Sequence, residues 1–135
     1  MSDLDTMIEK ARAVRENAYA PYSRFHVGAC LRTDRGKFYA AANVENAVYP
    51  QGQCAEASAI GAMIAGGDTR IVEVVVVGGG EELCTPCGGC RQRLNEFAAA
   101  DTPVHICGLE GLRKTFTLGE LLPYGFGPRN LDDPA

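Results

Sequence analysis

The feature that most constrains the fold is a run of β-branched residues from Ile71 to Val77, with the sequence IVEVVVV. A nearly uninterrupted apolar run of this kind is typical of a central strand that is covered on both faces. Gly78 to Gly80 end the run. A strand buried on both faces requires helices on each side of its sheet, so we expect a layered α/β structure.

Apolar periodicity divides the rest of the chain into helices and strands. A spacing of three or four residues indicates a helix, whereas alternation or a short apolar run bounded by glycine indicates a strand. The predicted elements are a helix over 4–18 capped by Ser2 or Asp3, two strands around Asp34–Gly36, a buried helix over 54–65, the strand over 71–77, a helix over 88–100, a strand over 104–107 and a fifth strand at 115–117. Their order predicts an α/β fold, a three-layer α/β/α sandwich with a mixed, roughly five-stranded sheet, as one domain over residues 1–135.

Charge and composition narrow the class of protein. The net charge of −4 disfavours a nucleic-acid-binding protein, because such binding depends on clustered Lys and Arg. The first residues, MSDLDTMIEKAR, have no signal-peptide pattern, and no apolar stretch approaches the ~20 residues of a membrane span. We therefore expect a cytoplasmic protein with a small-molecule partner, and neither nucleic acid nor membrane. Its six cysteines are expected to be reduced.

Two short motifs contain cysteines in a pattern that favours zinc: Cys54-Ala55-Glu56 and Pro86-Cys87-Gly88-Gly89-Cys90. Each lies at a predicted helix N-terminus, where unpaired backbone N–H groups and the helix dipole favour thiolate. A Cys pair from one turn and a third Cys from another helix supply three ligands, and the fourth position is left to water. Cys54, Cys87 and Cys90 are therefore predicted to bind one catalytic Zn²⁺ per chain.

Two charged residues complete the predicted metal centre. Glu56 follows Cys54 by two residues, which places it to face a water molecule as a general base. Zinc lowers the pKa of water from ~16 to near 7 in favourable sites. Three thiolates weaken this effect, so a compensating positive charge is expected. Arg91, directly after Cys90, is the candidate.

The residue pattern by itself allows three other interpretations of the cysteines. Cys84, Cys87 and Cys90 could hold an iron–sulfur cluster, and Cys87-Gly-Gly-Cys90 could be a redox dithiol. Both leave Cys54-Ala55-Glu56 unexplained. A non-enzymatic zinc module is the third, and it should have a fourth protein ligand.

The Cys-x-Glu motif, followed 33 residues after its Cys by Cys-x-x-Cys, matches the zinc-deaminase signature in its all-cysteine form. The chain resembles the small, homotetrameric type of cytidine deaminase in the segments AYAPYSRFHVGA, NVENAVYPQGQCAEASAI, TPCGGCRQRLNEF and LLPYGFGP. This resemblance implies hydrolytic deamination of free cytidine and deoxycytidine to uridine and deoxyuridine, as a step of pyrimidine salvage. The alternative is a relative that deaminates a nucleoside antibiotic such as blasticidin S. Editing of RNA or DNA is disfavoured by the acidic chain.

The same resemblance implies roles for residues that bind the substrate. Asn43 and Glu45 would hold the ribose 3′-hydroxyl as a donor and acceptor pair, which favours nucleosides because the carboxylate would repel a phosphate. Phe25 would form an aromatic wall, and the Ala55 amide together with Glu56 would recognise the pyrimidine edge.

Tyr49 and Phe126 match positions that border or complete a neighbouring subunit's pocket in the family, so a homotetramer is expected.

The chain departs from the family at Ala57, where many members carry an arginine directly after the catalytic glutamate. Compensation of the thiolate charge is therefore expected to depend more on Arg91 and on the two helix ends. The remaining cysteines match no ligand of the family and are expected to pack as small apolar residues: Cys30, Cys84 and Cys107.

Overall fold

Five strands form one mixed sheet in the computed structural model, which describes residues 1–132. The strands are β1 (Val27–Thr33), β2 (Phe38–Ala42), β3 (Ile71–Gly78), β4 (Pro103–Gly108) and β5 (Gly111–Thr117). The helices are α1 (Asp3–Arg15), α2 (Ala55–Ala65), α3 (Gly88–Phe97), α4 (Leu118–Leu121) and α5 (Pro128–Asp132), with a short 3-10 helix at Tyr49–Gln51. The predicted domain over 1–135 is thus described up to residue 132, and residues 133–135 lie outside the described part.

The β-branched run lies in the middle of the sheet as β3. The strand order is β2-β1-β3-β4-β5, and β3 pairs antiparallel with β1 and parallel with β4. Val74 and Val76 enter one core, and Val75 and Val77 enter the other, because successive side chains of a strand point to opposite faces. All four are fully buried. The prediction of a central strand covered on both faces is confirmed.

The two cores define three layers. On one face of the sheet, Met63 of α2 and Leu94 of α3 pack against the strands. On the opposite face, Met7 and Ala11 of α1 do the same. The predicted three-layer α/β/α sandwich with a mixed five-stranded sheet is therefore confirmed. Among residues 1–132, no helix is both long enough and apolar enough to cross a bilayer.

Local signals account for the ends of several elements. Helix α1 begins with a capping box, in which the Asp5 amide donates to Ser2 Oγ (3.1 Å) and the Ser2 amide donates to Asp5 Oδ2 (3.3 Å). It ends at Arg15, earlier than the predicted end at Ala18. The turn between β1 and β2 contains Gly36 with φ of 76°, a left-handed conformation that favours glycine.

The prediction that α2 is a buried helix is wrong for one of its faces. Its buried face packs against the sheet through Ala59, Ile60 and Met63, while its other face is exposed at Gly61, Ala62, Ile64 and Ala65. This second face carries small and apolar residues instead of the polar side chains that usually indicate the solvent side of a helix. Strand β5 is also longer than predicted, because it begins at Gly111 and not at Thr115.

Candidate metal centre and active site

Three cysteine sulfurs meet at the N-terminal ends of α2 and α3. Cys54 is the N-cap residue of α2 and Cys87 is the N-cap residue of α3, both with extended backbone. Neither thiol makes a capping hydrogen bond to its own helix. Cys90, in the first turn of α3, is fully buried. The three Sγ atoms lie within 4.8 Å of one another, so the predicted ligands are brought together.

The spacing of the sulfurs fits a tetrahedral zinc ion. Two Zn–S bonds of about 2.3 Å at the tetrahedral angle place their sulfurs about 3.8 Å apart. The Sγ atoms of Cys54 and Cys87 are 3.9 Å apart. Within the described residues, no His, Asp or Glu side chain joins this group, and Cys84 does not belong to it. The donor set is therefore that of a three-cysteine zinc site, and the geometry gives no support to a cluster that needs Cys84.

The thiols of Cys54 and Cys90 shift each other's pKa. The hydrogen bond with Cys90 is the main cause that lowers the pKa of Cys54, and the same bond, together with burial, raises the pKa of Cys90. The Cys54 thiol therefore loses its proton more readily than the Cys90 thiol. Binding of a metal requires deprotonation of the thiols, because the ligand of zinc is the thiolate.

Glu56 lies in the first turn of α2 and is only 4% exposed. Burial is the main cause that raises its pKa to about 7, and the neighbouring Cys54 adds to the shift. A carboxyl group with such a pKa exchanges a proton near neutral pH, as general acid–base catalysis requires. Glu56 and Cys54 line the same cleft.

This cleft has a volume of about 270 Å³, which is small even for a site that binds small molecules. Its lining residues come from four segments of the chain: Ser23, Phe25, Val27, Asn43, Glu45, Cys54, Ala55, Glu56, Cys84, Thr85 and Cys87. The structure therefore brings Phe25, Asn43, Glu45 and Ala55 to one cleft with the metal cluster.

Hydrogen bonds from the loop before β1 hold Glu45 in this cleft. Glu45 Oε1 accepts from the amides of Tyr22 (3.0 Å) and Ser23 (3.1 Å), and Oε2 accepts from the Ser23 hydroxyl. The bond from the Ser23 hydroxyl is the main cause that holds the pKa of Glu45 below its usual value. Glu45 is therefore an ionised acceptor with a fixed orientation.

Asn43 is held by the same loop and by the first residue of β1. Its Oδ1 accepts from the Val27 amide (3.0 Å), and its Nδ2 donates to the Phe25 carbonyl oxygen (2.9 Å). The Asn43 amide group has two N–H donors and two lone pairs, so one of each is not used in these two bonds. Phe25 is 47% exposed, and its ring lies at the wall of the cleft.

Tyr49 and Phe126 do not line this cleft. Tyr49 is 74% exposed and borders an adjacent cavity of about 300 Å³ that also contains Tyr22 and Glu45. Phe126 is 58% exposed, and its carbonyl oxygen accepts from Gln92 Nε2 at 2.7 Å. Neither aromatic ring closes the cleft of its own chain.

Arg91, the residue predicted to offset the thiolate charge, makes three side-chain hydrogen bonds, and each of them goes to an oxygen atom. Its Nε donates to the Pro86 carbonyl (2.8 Å), its Nη1 to the Leu121 carbonyl (2.9 Å) and its Nη2 to Thr85 Oγ1 (3.1 Å). Arg91 therefore ties the loop before α3 to α4. The contact with sulfur is made by Arg93, whose Nη1 donates to Cys90 Sγ at 3.6 Å.

Three residues of this site were not predicted from the sequence. Arg93 could have been found from its position three residues after Cys90, which is helical spacing. Ser23 and Thr85 gave no comparable signal.

The prediction that Cys84 packs as an apolar residue is incomplete, because it packs against the core and also lines the cleft. Burial raises its pKa to about 11. The same prediction for Cys30 and Cys107 is confirmed, since both are buried.

The fold and the site together define a deaminase with a zinc-binding region. Residues 1–106 match the family model described as the cytidine and deoxycytidylate deaminase zinc-binding region. The chain belongs to this family, which is one of hydrolytic deaminases.

Full-length relatives and solved structures agree with this assignment. The chain is 39% identical over 131 residues to the cytidine deaminase of Halalkalibacterium halodurans, which covers 97% of this chain and 99% of that protein. It is 36% identical over 133 residues to the cytidine deaminase of Sporosarcina psychrophila, with 98% of each chain covered. The crystal structure of cytidine deaminase from Burkholderia pseudomallei superimposes with a TM-score of 0.86 at 39% identity, covering 93% of this chain and 100% of that chain.

Proposed function

We propose that this chain catalyses the zinc-dependent hydrolytic deamination of free cytidine and deoxycytidine, as a step of pyrimidine salvage. The observation that carries the proposal is that one cleft joins two sulfurs of the three-cysteine cluster and Glu56 to Asn43 and Glu45. Relatives named cytidine deaminase support cytidine as a substrate.

Cys54, Cys87 and Cys90 would hold one zinc ion per chain, and their spacing supports this assignment. When bound, zinc lowers the pKa of water, so that hydroxide is available near neutral pH. Glu56 takes a proton from water and delivers it to N3 of the pyrimidine, which makes C4 more electrophilic. After the oxygen of water has bonded to C4, Glu56 takes the remaining proton of this C4 hydroxyl group and transfers it to the 4-amino group. The oxygen of water becomes the new C4 oxygen, and ammonia leaves.

Asn43 and Glu45 would bind the ribose 3′-hydroxyl. Their fixed orientation supports this role, since the Asn43 amide can donate to a hydroxyl oxygen and the Glu45 carboxylate can accept its proton. An ionised carboxylate at this position would also repel a phosphate group. Nucleosides are therefore preferred over nucleotides, and Phe25 would pack against the nucleoside.

The active site would be completed in a homotetramer. The exposure of Tyr49 and Phe126 supports this proposal, because aromatic rings that lie outside the cleft of their own chain are available to a neighbouring one. Size-exclusion chromatography with light scattering tests the oligomeric state. A monomer that deaminates cytidine at full rate would contradict the role of both rings.

The central test follows cytidine absorbance during incubation with the purified protein, with zinc content measured on the same samples. Glu56→Gln is expected to keep zinc and to lower kcat by about 10² to 10⁴ fold, the usual contribution of a general acid–base group. Glu9→Gln is the matched control, because it makes the same chemical change on α1, on the opposite face of the sheet.

Three outcomes separate the alternatives. Conversion of cytidine by the wild type and by Glu9→Gln alone supports the reaction and the role of Glu56. Deamination of blasticidin S without deamination of cytidine would replace the proposed substrate. A protein that binds no zinc would overturn the three-cysteine assignment.

A further inference from the structure

A zinc ion on three thiolates leaves excess negative charge beside Glu56. Three thiolates and one Zn²⁺ sum to a charge of −1. The position directly after Glu56 is Ala57, which supplies no positive charge. Besides the N-termini of α2 and α3, a cation from another part of the chain near the sulfurs would offset this charge and help the ion to act as a Lewis acid.

Arg93 is the arginine that contacts the cluster. Its Nη1 donates to Cys90 Sγ at 3.6 Å. Gly89 provides the space for this arrangement, because a Cβ built at position 89 would lie 3.2 Å from Arg93 Nη1 and 4.0 Å from Cys87 Sγ. The guanidinium group therefore folds back over the first turn of α3 and contacts Cys90 Sγ.

The charge of Arg93 is not neutralised by an acidic neighbour. Within residues 1–132, no carboxylate oxygen lies within 4.0 Å of its guanidinium nitrogens. Arg91, in contrast, donates to two backbone carbonyls and a hydroxyl. Arg93 is thus an arginine without an acidic partner in the described residues, and its guanidinium group donates a hydrogen bond to Cys90 Sγ.

We propose that Arg93 offsets the thiolate charge of the metal centre in this chain, from α3, in place of a cation directly after Glu56. This inference rests on the proposed function, because it requires zinc on the three cysteines. Arg93 acts through the ligands and does not touch the substrate, so it is a positioning residue for the metal.

Zinc affinity tests this role without relying on activity. Zinc-free wild-type protein, Arg93→Met, Arg93→Lys and Arg12→Met are titrated with zinc against a chromophoric chelator at pH 7. Methionine keeps an unbranched stem and removes the charge, whereas lysine keeps the charge. Arg12→Met is the matched control, because Arg12 is an exposed arginine of α1 on the opposite face of the sheet.

Arg93→Met is expected to bind zinc about tenfold more weakly, the effect of one charge roughly 4 Å from a thiolate in a largely solvated setting. Arg93→Lys should retain most of the affinity, and Arg12→Met should match the wild type. Added salt should weaken binding to the wild type more than binding to Arg93→Met.

The proposal for Arg93 is overturned if Arg93→Met binds zinc as tightly as Arg12→Met, or if Arg93→Lys loses as much affinity as Arg93→Met. Wild-type protein that binds no zinc would overturn the proposed function and the role of Arg93 together. Arg93→Gln replaces Arg93→Met if the latter does not fold, and urea unfolding of the zinc-free variants checks this.

Discussion

Replacement of Gly28 by alanine tests how closely α1 packs on the sheet. Gly28 lies in β1, under the backbone of α1. A Cβ built at position 28 would lie 2.0 Å from the carbonyl oxygen of Ala11 and 3.0 Å from the Cβ of Arg15. A carbon and an oxygen in contact are normally about 3.3 Å apart. Helix α1 must therefore move away by about 1.3 Å before the alanine fits.

The free-energy cost of Gly28→Ala depends on the contacts that hold α1 in place. Met7 and Ala11 are fully buried against β1 and β3, so a shift of the helix opens contacts along the whole core on this face. Overpacking usually costs about 1–3 kcal/mol. The cost should lie near the upper end of this range when the obstructing atom belongs to the backbone, because backbone atoms cannot move aside as a side chain can. We expect Gly28→Ala to lower the free energy of unfolding by about 3 kcal/mol, which lowers Tm by roughly 10 °C.

Thermal and urea unfolding measure this effect at one protein concentration and one zinc concentration, because zinc and assembly both change apparent stability. Gly61→Ala is the matched control. A Cβ at position 61 meets no atom within 4 Å, and alanine in the interior of α2 should stabilise by up to about 1 kcal/mol. A Gly28→Ala variant within about 0.5 kcal/mol of the wild type would refute the close approach of α1.

Three further predictions concern polar contacts and the metal. Ser23→Ala removes the hydroxyl that donates to Glu45, and steady-state kinetics should show a KM for cytidine raised roughly tenfold with little change in kcat; an unchanged KM would contradict this role. Glu73→Ala removes the acceptor of His105 Nε2 (2.7 Å) and Arg32 Nε (3.0 Å), and urea unfolding should show a loss of about 3 kcal/mol, with a smaller loss for Glu73→Gln. Chelation should abolish turnover and lower Tm, and added zinc should restore both; full turnover in zinc-free protein would rule out the proposed chemistry.

The main features of the fold and the metal cluster were predictable because they depend on short-range chain properties. The β-branched run indicated β3, and the placement of Asp34–Gly36 indicated the turn between β1 and β2. Cys54 and Cys87 were expected at helix starts, and both are N-cap residues. A helix start depends on residues within about one turn, so the sequence pattern was sufficient.

Contacts between distant segments were not predictable in the same way. Ser23 holds Glu45 across 22 residues, and the loop that makes this contact has no periodic pattern. The hydrogen-bond partners of Arg91 were not predictable for a related reason. The Leu121 carbonyl, 30 residues away at the end of α4, accepts a hydrogen bond from Arg91 and so helps to orient its guanidinium group.

The sequence by itself determined the chemistry available to this protein: three thiols, a carboxyl group two residues after the first, and a sheet with helices on both faces. Tertiary packing determined which side chains meet. It brought the guanidinium group of Arg93 into hydrogen-bond contact with Cys90 Sγ, gave Arg91 oxygen acceptors, and left one face of α2 exposed. The physical reason is that residue type and local spacing fix helix starts and ligand chemistry, whereas the direction of a long side chain depends on which backbone groups other elements bring within reach.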